Sequence, residues 1–307
     1  MSPRLLAALS LVAAMAFTGA NVAFGKAIGA AVPIYLFVLF RFAVASLALV
    51  PMARNEPGPR LLQMSWGEWR DLALMALLGL VGFTVLMLEG LKRTTAADAG
   101  IITATLPAVV AILGLLFVGD RLSRLQVFAV ALAVSGLLLV QTTSATGGSA
   151  TLVGNLLVAG AVLCEASFVI LGKRLAPPYR PLRLALGTNL AGLAMAIPLG
   201  LLDLPAFDAR TVTLEIWLLG TWYALSASVF CLWLWYGGLP RVETWLAGLT
   251  TAAIPVAALA MSALYLGEAI GPARLAGAAL VIAGIVLGAL SPQVGKGAAS
   301  DPPPPRR

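Results

Sequence analysis

The sequence predicts an all-α integral membrane protein whose ten transmembrane helices form two inverted five-helix repeats. Three observations carry that prediction. Hydrophobic residues make up 60% of the 307-residue chain and charged residues only 11%, with a mean hydropathy of +0.97, whereas soluble domains carry roughly 25% charge. Ten apolar runs approach the ~20 residues needed to cross ~30 Å of hydrocarbon. The chain also matches itself when slid along by 147 or 148 residues.

The runs fall in order along the chain. Span one (5–28) follows Arg4. Together with the small residues near Ala20 it resembles a secretory signal, but cleavage is not expected, because a matching segment recurs deep in the chain. Span two (33–52) opens at Pro33 and contains Arg41. Span three (71–90) shows no alternation of polar and apolar residues, which argues against a lipid-facing barrel. Span four (97–119) has Pro107 near its middle, and span five (124–141) carries the small residues Ala131 and Ser135. An uncharged joint, 144–151, separates the halves. Span six (152–174) contains Glu165, and span seven (182–202) contains Pro198. Span eight (213–236) is rich in aromatic residues, span nine (245–267) has Pro255 near its middle, and span ten (272–290) carries Gly284 and Gly288. The expected division is 1–143, a linker 144–151, 152–290, and a disordered tail 291–307 ending in four prolines and two arginines. Short connections favour antiparallel neighbours in a helical bundle.

Lys and Arg set the orientation. With the N-terminus inside, fourteen fall on the inner side, five on the outer, and Arg41 lies within span two. Positive charge gathers in cytoplasmic loops, so both termini are expected in the cytoplasm. The net charge of +7 is thereby explained without nucleic acid, for which no basic cluster on a polar domain exists. Cys164 and Cys231 lie inside apolar runs and imply no disulfide framework. The absence of His removes the commonest metal ligand and general base. No metal, no cofactor and no catalytic constellation are expected.

The repeat is carried by Gly and Pro. At an offset of 147, Gly25-Lys26 falls on Gly172-Lys173 and Pro51 on Pro198. At 148, Gly90-Leu91 matches Gly238-Leu239, Gly100 matches Gly248, Thr103-Ala104 matches Thr251-Ala252, and Pro107 matches Pro255. Gly119-Asp120 meets Gly267-Glu268 and Gly136 meets Gly284; residues 90–140 give fourteen identities in fifty-one positions. Five spans per half is an odd number, so the second half enters the membrane upside down. Inverted repeats are a carrier architecture with a midplane substrate site between the halves. The bland alternative is a duplication that only enlarged a bundle. A channel would show a row of like polar groups along one pore. An intramembrane protease would need a Ser–His dyad or two deep Asp residues, and neither is present.

These features resemble the EamA-type family of the drug/metabolite transporter superfamily over about residues 5–290. The likeness rests on Gly19-Ala20-Asn21 before Gly25-Lys26, Arg41-Phe42, the stretch from Pro107 to Gly119-Asp120-Arg121-Leu122, and its copy from Pro255 to Gly267-Glu268. Within the family the chain is most similar to bacterial inner-membrane amino-acid exporters, including aromatic ones. The resemblance implies a carrier for aromatic, other neutral amino acids or related small metabolites, working by alternating access as a facilitative uniporter. A proton-coupled drug or metabolite efflux carrier is the alternative. Many relatives carry Trp where this chain has Thr18 and Glu165, which implies a more polar or broader pocket.

Helices facing a cavity should carry polar or aromatic residues three apart on one face. Thr18 and Asn21 correspond in the repeat to Glu165 and Phe168, Gly82 and Val85 to Phe230 and Trp233, and Thr103 and Leu106 to Thr251 and Ile254. These are the candidate substrate-binding residues, against the alternative that they are interhelical packing residues. Glu165 and Arg41 are deep charges, a costly placement. Glu165 could hold a substrate ammonium, carry a proton or neutralise a cation, with Arg41 as a structural or gating residue and a water-linked pair between them open. Pro107 and Pro255 are expected to bend spans four and nine, as hinges or static kinks. Spans five and ten should pack at the bundle edge or against another copy in a homo-oligomer. The partners are then a small-molecule substrate and the lipid bilayer.

Overall fold

A computed structural model of the protein describes residues 2–91, 93, 94, 96–142, 151–176, 178–266 and 271–292, and every regular element among them is helical. Span one is α1 (Pro3–Ala31) and span two α2 (Ile34–Arg54). Pro33 disfavours helical backbone in the residue before it, so Val32 is extended at φ −127° and ψ 130°, and the chain turns there. Span three begins at α3 (Trp66–Ala76), passes through a π-wound segment at Leu77–Gly82 and continues as α4 (Phe83–Leu91). It starts before the apolar run because Ser65 and Glu68 form a reciprocal capping box that holds a polar first turn in the helix. Span four is α5 (Ala96–Thr103), α6 (Leu106–Leu113) and a π-wound Gly114–Val118, and span five is α7 (Arg124–Thr142).

The second half repeats the plan. Spans six and seven are α8 (Leu152–Leu175) and α9 (Pro181–Asp203). Span eight is α10 (Leu214–Leu225), a π-wound Ser226–Phe230 and α11 (Cys231–Gly238). Span nine is α12 (Thr244–Thr250) and α13 (Ala253–Leu266), and span ten is α14 (Pro272–Leu290). Among the described residues, nine stretches are long and apolar enough to cross a membrane, and Arg124–Val140 is a shorter apolar helix. The expected linker 144–151, apart from Thr151, and the tail beyond Pro292 lie outside the described residues, as do Gly267 and Glu268.

Spans three, four, eight and nine are interrupted, where continuous helices were expected. Pro107 and Pro255 do not bend running helices. Each sits in the first turn of a new one, α6 or α13. A first-turn amide has no partner within its helix, so proline costs no hydrogen bond there. Most of the interruptions obey the repeat: π-wound segments end at Gly82 and Phe230, and helix breaks fall at 104–105 and 251–252, whereas the π-wound Gly114–Val118 corresponds to regular helix in α13.

Packing carries the same symmetry. α1 lies most extensively on α13 and α11 of the other half, and α8 on α4 and α6. α2 pairs with its counterpart α9, and α7 with its counterpart α14. Exchanging the halves maps these contacts onto one another, as an axis in the membrane plane requires. Spans five and ten therefore pack against each other inside one chain. Cβ atoms added at Gly136, Gly277 and Gly284 would stand 2.6–2.8 Å from backbone of the opposing helix. Gly284 and Gly288 are taken up within the molecule, whereas Ala131 and Ser135 of span five are exposed.

Candidate functional site

The four interrupted spans surround α1 and α8, and the site residues lie where these helices cross the interruptions. On α1, Asn21 is buried and bonds the π-wound segment of span eight in both directions. Its Nδ2 donates to Ser226 Oγ at 2.9 Å, and Ser226 Oγ donates to its Oδ1 at 3.1 Å. A wound-out segment leaves backbone and hydroxyl groups needing partners, and a buried amide is costly without one. Asn21 and Ser226 satisfy each other. One turn away, Thr18 Oγ1 donates to the Ala14 carbonyl and lies 3.3 Å from Cys231 Sγ. Phe230 stacks between Phe17 and Trp222, with ring centroids 6.3 and 6.5 Å away.

The counterpart contact lies between α8 and span three. Phe168, the repeat equivalent of Asn21, covers Gly79 so closely that a Cβ there would stand 2.4 Å from its ring. Cys164 Sγ would lie 3.4 Å from a Cβ at Gly82. The two contacts differ in chemistry: one is a hydrogen-bonded amide, the other an aromatic ring on glycine. Glu165 sits beside this contact on α8, half-buried, and makes no hydrogen bond or ion pair with any described residue.

The breaks in spans four and nine are closed by threonine. Thr103 Oγ1 donates to the Ala99 carbonyl at 2.9 Å, Thr105 Oγ1 to Ile102 at 2.6 Å, Thr250 Oγ1 to Ala247 at 2.7 Å and Thr251 Oγ1 to Gly248 at 2.6 Å. The Ile102 and Gly248 carbonyls also accept the Thr105 and Thr251 amides, each at 3.1 Å, so the hydroxyls add a second bond there. Leu106 opens α6, and Ile254 is pressed on α1, where a Cβ on Gly19 would stand 2.2 Å from its carbonyl oxygen. Val85 and Trp233 are 42% and 50% exposed, and neither has a ring or hydrogen-bond contact with the other site residues.

Arg41 does not pair with Glu165. Its Nε donates to Ser228 Oγ at 3.0 Å, and its guanidinium carbon lies 5.2 Å from the Phe42 ring centre and 5.6 Å from that of Tyr223. Cation–π stacking of this kind suits the weakly hydrated guanidinium. Asn189 Nδ2 reaches the carbonyl of the same Ser228 at 3.3 Å. Ser226, Ser228, Asn189 and Tyr223 were not picked out from the sequence. Asn189 lay outside the three-apart, repeat-paired pattern that selected Asn21, although a buried amide within a span needs a partner.

The face carrying both ends of the bundle is sealed. Arg4 bonds Glu243 Oε2 at 3.1 Å and the carbonyls of Ala289 and Ser291. Asp120 Oδ2 accepts the amides of Thr244 and Trp245 at 2.6 and 3.3 Å, tying the end of span four to the start of span nine, and Lys173 Nζ reaches the Val242 carbonyl. α6 and α12 pack together on this side, with a Cβ on Gly248 only 2.5 Å from Val110. On the opposite side, α5 lies on α7 and α8 while α13 lies on α1, and no extensive contact joins α5 to α13 among the described residues.

Comparison with known proteins gives one consistent result. The profile of the EamA-like transporter family matches twice, over residues 5–142 and 152–289. The chain is 30% identical to a protein of Bacillus subtilis (strain 168) named an uncharacterized transporter, YetK, over 90% of this chain and 84% of that one. It is 28% identical to a probable terminal-alkyne amino-acid exporter of Streptantibioticus cattleyicolor, covering 81% and 82% of the two chains. A probable amino-acid metabolite efflux pump of Salmonella typhimurium is 27% identical over 57% of this chain and 61% of that one. One crystal structure shares the fold, with a TM-score of 0.76 at 20% identity, over 92% of this chain and 95% of that chain.

Proposed function

Because the chain belongs to the EamA-like transporter family, we propose that it exports amino acids, aromatic and other neutral ones or related small metabolites, by alternating access as a facilitative uniporter. It is a multi-pass membrane transporter of small molecules and not an enzyme. The finer reading is supported by one observation above others: the repeat-related interruptions in spans three, four, eight and nine pack against α1 and α8. Broken helices at the repeat interface are where carriers bind solutes. Glu165, held there without a protein partner, suits the ammonium of an amino acid. Thr18, Phe230 and Phe168 supply a mixed polar and aromatic lining. The relatives named as amino-acid exporters agree with this substrate class.

The packed α6–α12 contact beside separated α5 and α13 supports a state open on the side away from the termini. With the positive charge counted toward the termini, that is the outward-facing state of a bacterial inner-membrane protein whose ends lie in the cytoplasm. Counterflow of labelled amino acids in proteoliposomes tests the reading. Exchange of neutral amino acids without a proton gradient is expected. No exchange across the panel with correctly folded protein would refute amino-acid export, and strict dependence on ΔpH would favour the proton-coupled efflux alternative.

A further inference from the structure

On the face that carries both ends of the bundle, away from the repeat interface, three connections enclose a cavity of about 440 Å³. Its walls include Pro59 from the connection of spans two and three, Pro178 and Pro181 from that of spans six and seven, and Pro240 from that of spans eight and nine. Fixed φ at each proline makes these walls stiff. Arg180 and Arg241 line the same cavity, and both residues are exposed.

The charges around the cavity do not cancel. Glu56 accepts the amides of Leu182 and Arg183 at 3.2 and 3.0 Å, so its carboxylate caps the start of α9. Glu68 is held by the Ser65 amide and hydroxyl, both at 2.8 Å. Asp71 lies 3.1 Å from Arg70 and 3.7 Å from Arg174. Arg183 is buried and donates to the carbonyls of Ala53, Glu56, Gly58 and Pro59, holding the loop rather than facing the cavity. The Arg241 side chain reaches only the Gly237 carbonyl, and the Arg180 side chain has no hydrogen bond or ion pair with any described residue. Arg180 and Arg241 thus line a stiff cleft with no ion pair to either among the described residues, while Glu68 lies beside Tyr179 of the same wall.

The cleft is formed by connections between spans, at an end of the bundle that would meet the headgroup region of a bilayer. In the loop that supplies Pro59, Leu62 is 91% and Trp66 85% exposed, as side chains of the membrane interface are. Basic pockets at this level suit phosphorylated headgroups, because arginine pairs with phosphate oxygens through two parallel bonds.

We propose that this cleft binds the phosphate headgroup of an anionic phospholipid, with Arg180 and Arg241 as its ligands. A bound headgroup bridges connections from both halves and holds the sealed face together. The site is separate from the solute path, so it stands or falls independently of the export reading.

The test uses the full-length protein in phosphatidylcholine nanodiscs with and without phosphatidylglycerol, reading retained lipid by native mass spectrometry and melting temperature in parallel. Phosphatidylglycerol should be retained and should raise the melting temperature of the wild type. The double variant Arg180→Gln, Arg241→Gln should bind it about 30-fold more weakly, at roughly 1 kcal/mol per arginine. The double lysine variant should keep most of the binding, and Arg124→Gln should keep all of it. Equal retention by wild type and the double glutamine variant overturns the site. An equal rise in melting temperature from inorganic phosphate in pure phosphatidylcholine overturns the lipid as its source and assigns the cleft to a free anion.

Discussion

Gly238 lies against the Ala7 carbonyl so closely that a Cβ there would stand 2.8 Å from the oxygen. Its repeat partner Gly90 lies in the same way against the Gly154 carbonyl, at 3.1 Å. The second shell agrees too: Leu11 flanks the first contact and Val158 the second, and Ala7 and Leu11 are 147 residues from Gly154 and Val158. The symmetry therefore extends to individual van der Waals contacts between the halves.

Gly90→Leu and Gly238→Leu should each destabilise the protein by about 1–3 kcal/mol, the usual cost of overpacking. Thermal unfolding in detergent should show similar losses for both. A loss in one with none in the other would contradict equivalent packing.

The Asn21–Ser226 pair should be energetically coupled. Ser226→Ala leaves the buried Asn21 amide unsatisfied, costing about 1–3 kcal/mol, and Asn21→Leu should cost less, because Ser226 Oγ keeps the Tyr223 carbonyl at 3.3 Å. The double variant should lose less than the sum, by about 0.6–2 kcal/mol for an interhelical membrane bond. Full additivity in the unfolding cycle would mean that the two groups do not support each other.

Glu165→Gln should fold as the wild type does, since no described partner is lost. Counterflow of ammonium-bearing substrates should fall about tenfold or more, as expected for removal of a charge-assisted bond. An unchanged rate over the whole amino-acid panel would remove Glu165 from the site.

Asp120→Asn should loosen the sealed face, because the carboxylate holds the Thr244 and Trp245 amides at the positive end of α12. In a background lacking Cys164 and Cys231, a cysteine at Val110 should become more reactive to a reagent added on the side of the termini. Equal labelling rates would show that this contact does not control closure.

The number of spans, their order and the doubling were legible in the sequence because hydropathy and paired Gly and Pro positions record them directly. The interruptions were not. Leu77–Gly82 reads as one smooth apolar run, and a change from i→i+4 to i→i+5 bonding leaves no mark in composition. Selecting residues three apart assumes 3.6 residues per turn. That assumption fails where Phe230 ends a π-wound segment and Trp233 follows it, and the two are not brought together. Arg41 was singled out in the sequence, but its partner, Ser228, lies in a segment whose winding was invisible. The proline pair was found, yet its role was misread, since a break placing proline in a first turn looks in sequence like a kink.

The embrace of α7 and α14 has a consequence for how the molecule could be divided. Two half-chains cut between residues 142 and 151 would each keep a glycine-lined helix whose natural mate is on the other fragment. Co-expressed, they should find one another in the bilayer and restore a working carrier, because the interface that a two-subunit ancestor would have needed is already written into this single polypeptide.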